Sequence, residues 1–304
     1  MSLTLTQRLG IEVPLLQAPM AGVQGSALAI AVAEGGGLGA LPCAMLSPQA
    51  MSDEIARIRA QTSRPLNVNF FCHLSPEPDP ASNARWHQAL APYYAELGLD
   101  IDSVPSGAGR RPFDHQACEV LEAFRPEVVS FHFGLPSPAL LERVKAWGAT
   151  VLSSATTVEE ALWLEANGAD AVIAQGLEAG GHRGMFLTQD LTTQVGTLAL
   201  LPQVKAAVSI PVIAAGGIAD ARGVAAAVAL GADAVQVGTA FLCCPEATTS
   251  SLHRRALQSE AARHTALTNL YSGRPARGIV TRLMRELGPI STVRRPSRWP
   301  RRPS

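Results

Sequence analysis

The sequence predicts an α/β fold, a (β/α)8 TIM barrel with a C-terminal helical extension. Three observations carry this. Eight short apolar runs alternate with helical segments across residues 1–242, and strands alternating with helices imply parallel pairing. Eight such units in about 250 residues suit a closed barrel. The strongest glycine turns follow the sixth, seventh and eighth runs, whereas an open doubly wound sheet would place its phosphate loop after the first strand.

Leu15–Met20 is the first predicted strand, and Ser26–Glu34 is a helix with Ser26 as candidate N-cap, ending at Gly35-Gly36-Gly37. Leu38–Cys43 is the second strand, and the helix Pro48–Gln61 carries Ile55 and Ile58 one turn apart. Leu66–Cys72 is the third strand, followed by the helix Asn83–Leu97. Leu99–Pro112, rich in Gly, Pro and Asp, reads as an excursion loop before the helix His115–Phe124. The fourth strand is Val128–Phe133 with helix Pro138–Trp147, and the fifth is Thr150–Ser154 with helix Val158–Asn167. Ala171–Gln175 is the sixth, followed by a glycine loop and the helix Thr197–Val208. Pro211–Ala215 with helix Ala221–Leu230 is the seventh unit, and Ala234–Gly238 is the eighth strand. Residues 243–290 read as a helical extension on or near the barrel mouth.

Composition narrows the function classes. The chain has 304 residues, 47% of them hydrophobic, and zero formal net charge, so no global field favours nucleic acid or a membrane surface. No apolar run reaches spanning length and no signal-peptide pattern opens the chain, which predicts a cytoplasmic protein. The cysteines, Cys43, Cys72, Cys118, Cys243 and Cys244, are odd in number and form no CxxC. They predict neither a disulfide framework nor a metal site.

Barrel active sites form where strands end, with phosphate commonly held after strands seven and eight. Ala214-Ala215-Gly216-Gly217-Ile218 and Gln236-Val237-Gly238-Thr239 occupy those two places, and glycine-turn N–H groups bind phosphate. After the sixth strand, Gln175–Gly184 holds four glycines and His182. A histidine held there can titrate near neutral pH. His132 ends the fourth strand, while His73, followed by Pro-rich sequence, carries less weight. Asn67 and Asn69 share one face of the third strand. A buried amide must find partners, and for Asn69 these are either neighbouring backbone or the polar edge of a flavin. Gln175 and Gln236 invite the same comparison. Glu178 stands four residues before His182 and either orients it, caps the loop or faces water.

These motifs together resemble the nitronate monooxygenases, formerly called 2-nitropropane dioxygenases. The resemblance runs from Gln17-Ala18-Pro19-Met20-Ala21-Gly22 through Asn67-Val68-Asn69, Ser130-Phe131-His132-Phe133-Gly134 and the glycine–histidine loop to Ser272-Gly273-Arg274-Pro275-Ala276-Arg277-Gly278. The last motif and the Phe-His-Phe-Gly strand resemble the class I enzymes. The resemblance implies FMN contacts at Asn69, Gln175, Gly180, Gly217, Gln236, Val237, Gly238 and Thr239. It implies His182 as the catalytic histidine and His132 as a residue that places the substrate anion. It implies oxidation of small alkyl nitronates, such as propionate 3-nitronate, by O2 through a flavin semiquinone, with a carbonyl compound and nitrite as products. The oligomeric state, monomer or homodimer, stays open. Flavin reductases of quinones or enoyl thioesters that use NAD(P)H share similar loops and form the alternative, as does an FMN-binding protein without turnover.

Residues 291–304 depart from the resemblance. Five arginines and a tryptophan, interspersed with prolines and without periodicity, predict disorder. The abrupt change reads as a shifted reading frame near codon 292, which would remove the terminal helix that the resemblance implies over the site.

Overall fold

The computed structural model describes residues 3–74, 79–101 and 109–293. The predicted tail beyond residue 293 and the part of the excursion loop at 102–108 lie outside the described residues.

The barrel strands are β1 (Leu15–Gln17), β2 (Gly39–Pro42), β3 (Leu66–Phe71), β4 (Val128–His132), β5 (Thr150–Ala155), β6 (Ala171–Gln175), β8 (Val212–Ala215) and β9 (Ala234–Val237). A two-residue strand, β7 (Gly181–His182), lies in the glycine loop. The eight barrel strands run in the order β1-β9-β8-β6-β5-β4-β3-β2, all parallel. A parallel bridge between Leu16 and Leu38 closes the ring. Two glutamine side chains complete this seam at Ala40. Gln17 Oε1 accepts the Ala40 N–H at 3.1 Å, and Gln24 Nε2 donates to the Ala40 carbonyl at 2.6 Å.

The helices α2 (Ser26–Glu34), α3 (Pro48–Arg59), α4 (Pro80–Glu96), α5 (His115–Phe124), α6 (Pro138–Ala146), α7 (Val158–Ala166), α8 (Thr197–Ala207) and α9 (Ala221–Ala229) follow the strands. Two apolar layers form between helices and barrel, one around Ile55, Val68, Phe131 and Val144, the other around Leu164, Val172, Leu201 and Val235. Leu16, Leu38, Val128, Leu152, Ile173 and Ile213 fill the barrel interior. Side chains alternate across each strand, so Asn69, Gln175 and Gln236 point inward with these residues. Val237 packs outward, in the layer beneath the helices.

Two expectations, on Ser26 and on the extension, need correction. Ser26 is the first helical residue, not the cap: Gly25 holds the N-cap position without a side chain, and Glu54 Oε2 accepts the Ser26 N–H at 2.8 Å. A short helix, α1 (Leu5–Leu9), precedes the barrel, opened by a Thr4–Gln7 capping box. The extension is not helical throughout. Between α10 (Ser251–Leu257) and α11 (Arg282–Leu287) it forms an antiparallel hairpin of β10 (Thr265–Thr268) and β11 (Ala276–Ile279). β11 then pairs antiparallel with β7, joining Ala276 to His182. Periodicity is weak in so short a hairpin, and its pairing partner lies about ninety residues away in the chain. Among the described residues no helix is long and apolar enough to cross a membrane.

One close approach fixes how α2 meets the sheet. A Cβ on Gly39 would lie 2.0 Å from the Ala29 carbonyl oxygen, so backbone must move to admit it. Gly39→Ala is expected to destabilise by at least about 2 kcal/mol, read as a lower denaturation midpoint. A midpoint equal to that of the parent chain would contradict this packing.

Candidate active site

The glycine loop after β6 is organised from within by Arg183. This residue is 1% exposed. Its Nη2 donates to the Gln175 carbonyl and its Nη1 to the Gly176 carbonyl, both at 2.7 Å, and its Nε donates to Gln194 Oε1 at 3.0 Å. Burial lowers the guanidinium to about 10, so it stays charged at neutral pH. Gln194 passes the network to Thr156 Oγ1, and Thr156 bonds the fully buried Glu160. Glu160 Oε1 in turn accepts the N–H groups of Phe186 and Leu187.

His182 is held at its backbone and at its ring. Its carbonyl accepts Gln175 Nε2 at 2.9 Å and His132 Nε2 at 3.2 Å. Its ring Nε2 lies 2.7 Å from Ser272 Oγ, in the turn of the β10–β11 hairpin. A carbonyl only accepts, so neutral His132 carries its proton on Nε2, and its Nδ1 accepts from Ser154 Oγ at 3.0 Å. Both ring nitrogens of His132 are thereby engaged within the protein. Gly184 permits this: a Cβ there would come within 2.9 Å of the His132 ring and of Ser154 Cβ.

An aromatic cluster surrounds the histidines. Phe71 lies 5.7 Å from His132, 5.9 Å from His73 and 6.0 Å from His182, centroid to centroid. Phe133 lies 4.6 Å from His132 and 6.1 Å from both His73 and His182. Phe133 has φ +70°, a left-handed backbone uncommon outside glycine that clusters at functional sites. The Arg274 guanidinium sits 4.6 Å over its ring. His73, given less weight in the sequence, therefore belongs to the same cluster.

Burial in this apolar, cationic setting suppresses the basicity of all three rings. His182 falls to about 3, through desolvation first and then the charges of Arg110, His132, Arg274 and His73. His132 and His73 each fall to about 4, again mainly through desolvation. The free site therefore presents neutral imidazoles at pH 7.

The remaining expected cofactor residues converge on the same end of the barrel. Asn69 donates through Nδ2 to the Ser130 carbonyl and hydroxyl, at 3.2 and 3.0 Å. Gln175 spends its Oε1 on the Gly184 N–H at 2.7 Å as well as its Nε2 on His182. Gly216 and Gly217 have φ +119° and +69°, and Gly217 is exposed. A Cβ on Gly180 would lie 3.3 Å from Thr239 Oγ1, which brings the sixth and eighth strand loops together. Gly238 abuts Ala18 and Met20 at the end of β1. Val237 faces away from the site, so only its backbone can reach a ligand there. Glu178 caps: its Oε2 accepts Thr197 N–H at 2.8 Å and Thr197 Oγ1 at 2.9 Å, where the N-cap Gly196 offers no side chain. His87, His115, His253 and His264 are exposed.

A flavin fits this donor set. The Gln236 Oε1 is buried without a partner among the described residues, and a planar ligand edge with N–H donors would satisfy it. Glycine turns at both phosphate positions leave backbone open to an anion. Residues that the sequence reading missed are Arg183 and Ser272. The first was visible only as a charge amid glycines, the second only as one letter of a motif.

Comparison with known proteins identifies the lineage. The family described as Nitronate monooxygenase matches residues 2–299. A nitronate monooxygenase of Pseudomonas aeruginosa is 44% identical over 283 residues, covering 91% of this chain and 80% of that protein. One from Paraburkholderia phytofirmans is 44% identical over 272 residues, covering 89% and 74%. The solved structure of a nitroalkane oxidase from Streptomyces ansochromogenes superposes with TM-score 0.84 at 44% identity, covering 92% of this chain and 80% of that one. The chain belongs to the nitronate monooxygenase family and is an oxidoreductase.

Two predictions follow from this geometry. Arg183→Met leaves two backbone carbonyls without their donor and should cost about 3 kcal/mol, measured by chemical denaturation; a loss below about 1 kcal/mol would remove Arg183 from its organising role. The second concerns pH. The three rings titrate near 6.5 when unfolded and near 4 or below when folded. Between those values the unfolded chain binds protons that the folded chain refuses, so stability is complete above 6.5 and falls as pH drops toward 4. His182→Asn should flatten the stability slope between pH 6.5 and 4.5 by about one proton; an unaltered slope would place His182 in water.

Proposed function

We propose that this chain binds FMN at the barrel mouth and uses O2 to convert alkyl nitronates, propionate 3-nitronate among them, into carbonyl compounds and nitrite. The observation that carries this reading is the neutral His182 ring, clamped between barrel and hairpin beside the glycine turns after β6, β8 and β9. FMN would be held by Asn69, Gln175, Gly180, Gly217, Gln236, Gly238, Thr239 and the Val237 backbone. When bound it supplies the one-electron chemistry that links a nitronate to oxygen, which protein side chains lack.

The chain's own residues bind, orient and move protons. His182 is the catalytic residue: as a neutral ring it offers one lone pair, able to take the α-proton of a nitroalkane, and the nitronate anion formed beside it raises the ring's basicity above that of the free site. Once protonated it holds the nitronate anion. His132, expected to place the substrate anion, has both ring nitrogens engaged within the protein and instead acts through His182, fixing its carbonyl. The Phe71–Phe133 pair and the hairpin turn limit water around the ring, which strengthens each polar contact there.

Purified protein should release nitrite from propionate 3-nitronate without NADH. His182→Asn should keep the yellow flavin spectrum and lose at least about a hundredfold in kcat/KM. Bleaching of the flavin by anaerobic NADH with no nitrite from the nitronate would favour the reductase reading instead. A yellow protein inactive on both would leave a flavin-binding protein without turnover.

A further inference from the structure

We propose that Ser272 is a positioning residue that locks the His182 ring in its Nε2–H tautomer and thereby makes Nδ1 the proton-accepting nitrogen. The inference deepens the nitronate reading above, but its first half rests on hydrogen-bond counting alone.

Ser272 Oγ has three polar neighbours. It lies 2.7 Å from His182 Nε2, it donates to the Arg274 carbonyl at 3.3 Å, and the Arg274 N–H approaches it at 3.4 Å. A hydroxyl has one proton and two lone pairs. The Arg274 carbonyl can only accept and the Arg274 N–H can only donate, whereas the His182 nitrogen can do either, so all three contacts are made together only when the hydroxyl proton goes to the carbonyl. The two lone pairs are then left for the Arg274 N–H and for His182. In that arrangement His182 donates, which puts its proton on Nε2 and its lone pair on Nδ1. In the opposite arrangement, with Ser272 donating to Nε2, this proton is withdrawn from the Arg274 carbonyl.

The fold holds this serine as firmly as the histidine. Arg183 N–H donates to the Pro275 carbonyl at 2.9 Å, and Ala276 pairs with His182 across the small sheet. On the other side of the turn, the Asn269 side chain exchanges two hydrogen bonds with the Ser291 backbone at 2.9 and 3.0 Å. The turn is thus tied to the glycine loop and to the chain beyond α11. Charged and titratable groups around the ring are Arg110, Arg274, His73 and His132, none of them a carboxylate that would compete for the proton on Nε2.

With a neutral nitroalkane the step is a simple transfer. The α C–H bond breaks, its electron pair becomes the C=N bond of the nitronate, and the proton forms an N–H bond at His182 Nδ1. The resulting imidazolium donates through Nδ1 to the new anion while Nε2 stays on Ser272.

The direct test is long-range proton–nitrogen correlation on the full chain labelled with nitrogen-15 histidine, with His182 assigned by its disappearance in His182→Asn. The wild-type ring should show a pyrrole-type Nε2 and a pyridine-type Nδ1. Ser272→Thr keeps the hydroxyl and should keep that pattern; Ser272→Ala should give averaged shifts. A protonated Nδ1 in the wild type, or an unchanged pattern in Ser272→Ala, overturns the proposal. Should Ser272→Ala fail to fold, the wild-type and Ser272→Thr spectra still decide. In turnover, Ser272→Ala should lose about tenfold in kcat/KM with neutral nitroalkane and less with preformed nitronate; an equal loss overturns Nδ1 as the acceptor. Absence of nitrite release by the wild type would sink the nitronate reading and leave the tautomer spectrum as an independent result.

Discussion

The site depends on one buried charge. Arg183 carries a guanidinium into the protein interior, where an unpaired ion would cost several kcal/mol. Its donors go to the Gln175 and Gly176 carbonyls and to Gln194. Those bonds fold the glycine loop back on the end of β6. The residue before Arg183 is His182, so its ring is placed by its neighbour's need for partners. A loop with several glycines has little stiffness of its own, and the buried arginine provides it.

From that anchor the constraint spreads in two directions. Inward, Gln194, Thr156 and Glu160 connect the loop to α7 and to the N–H groups of Phe186 and Leu187. Outward, β7 gives the β10–β11 hairpin an edge to pair with, and the hairpin returns Ser272 and Arg274 to the ring. The extension thus packs against the histidine cluster from outside the barrel. The same arrangement explains the electrostatics. Apolar rings at Phe71 and Phe133 desolvate the histidines, and Arg274 adds a fixed positive charge. The rings are therefore neutral at pH 7.

The barrel was legible because its signals are local. Apolar runs of strand length separated by helical periods fix the strands at Leu66–Phe71 or Ala171–Gln175 within a residue or two of their expected ends. His115–Phe124 has the same bounds in sequence and structure. The glycine turns at Gly216-Gly217 and Gly238 fall where the strand count placed them. The cap of α2 was misread because Glu54, which accepts the Ser26 N–H, lies 28 residues away. The hairpin was misread as helix because β10 and β11 are stabilised by each other and by β7, and no periodicity within four residues reports that.

Residue order alone specifies the barrel, the strand ends where the expected site residues sit, and the family to which their motifs point. These follow from burial periodicity and from residue types that suit only certain backbone shapes. The tertiary structure alone decided which of those residues meet. It brought His73 beside His182, turned Val237 outward, engaged both ring nitrogens of His132, and set Ser272 against a ring ninety residues distant in the chain. Such pairings depend on closure of the barrel and on the destination of each buried hydrogen bond. A linear pattern of residue types records neither.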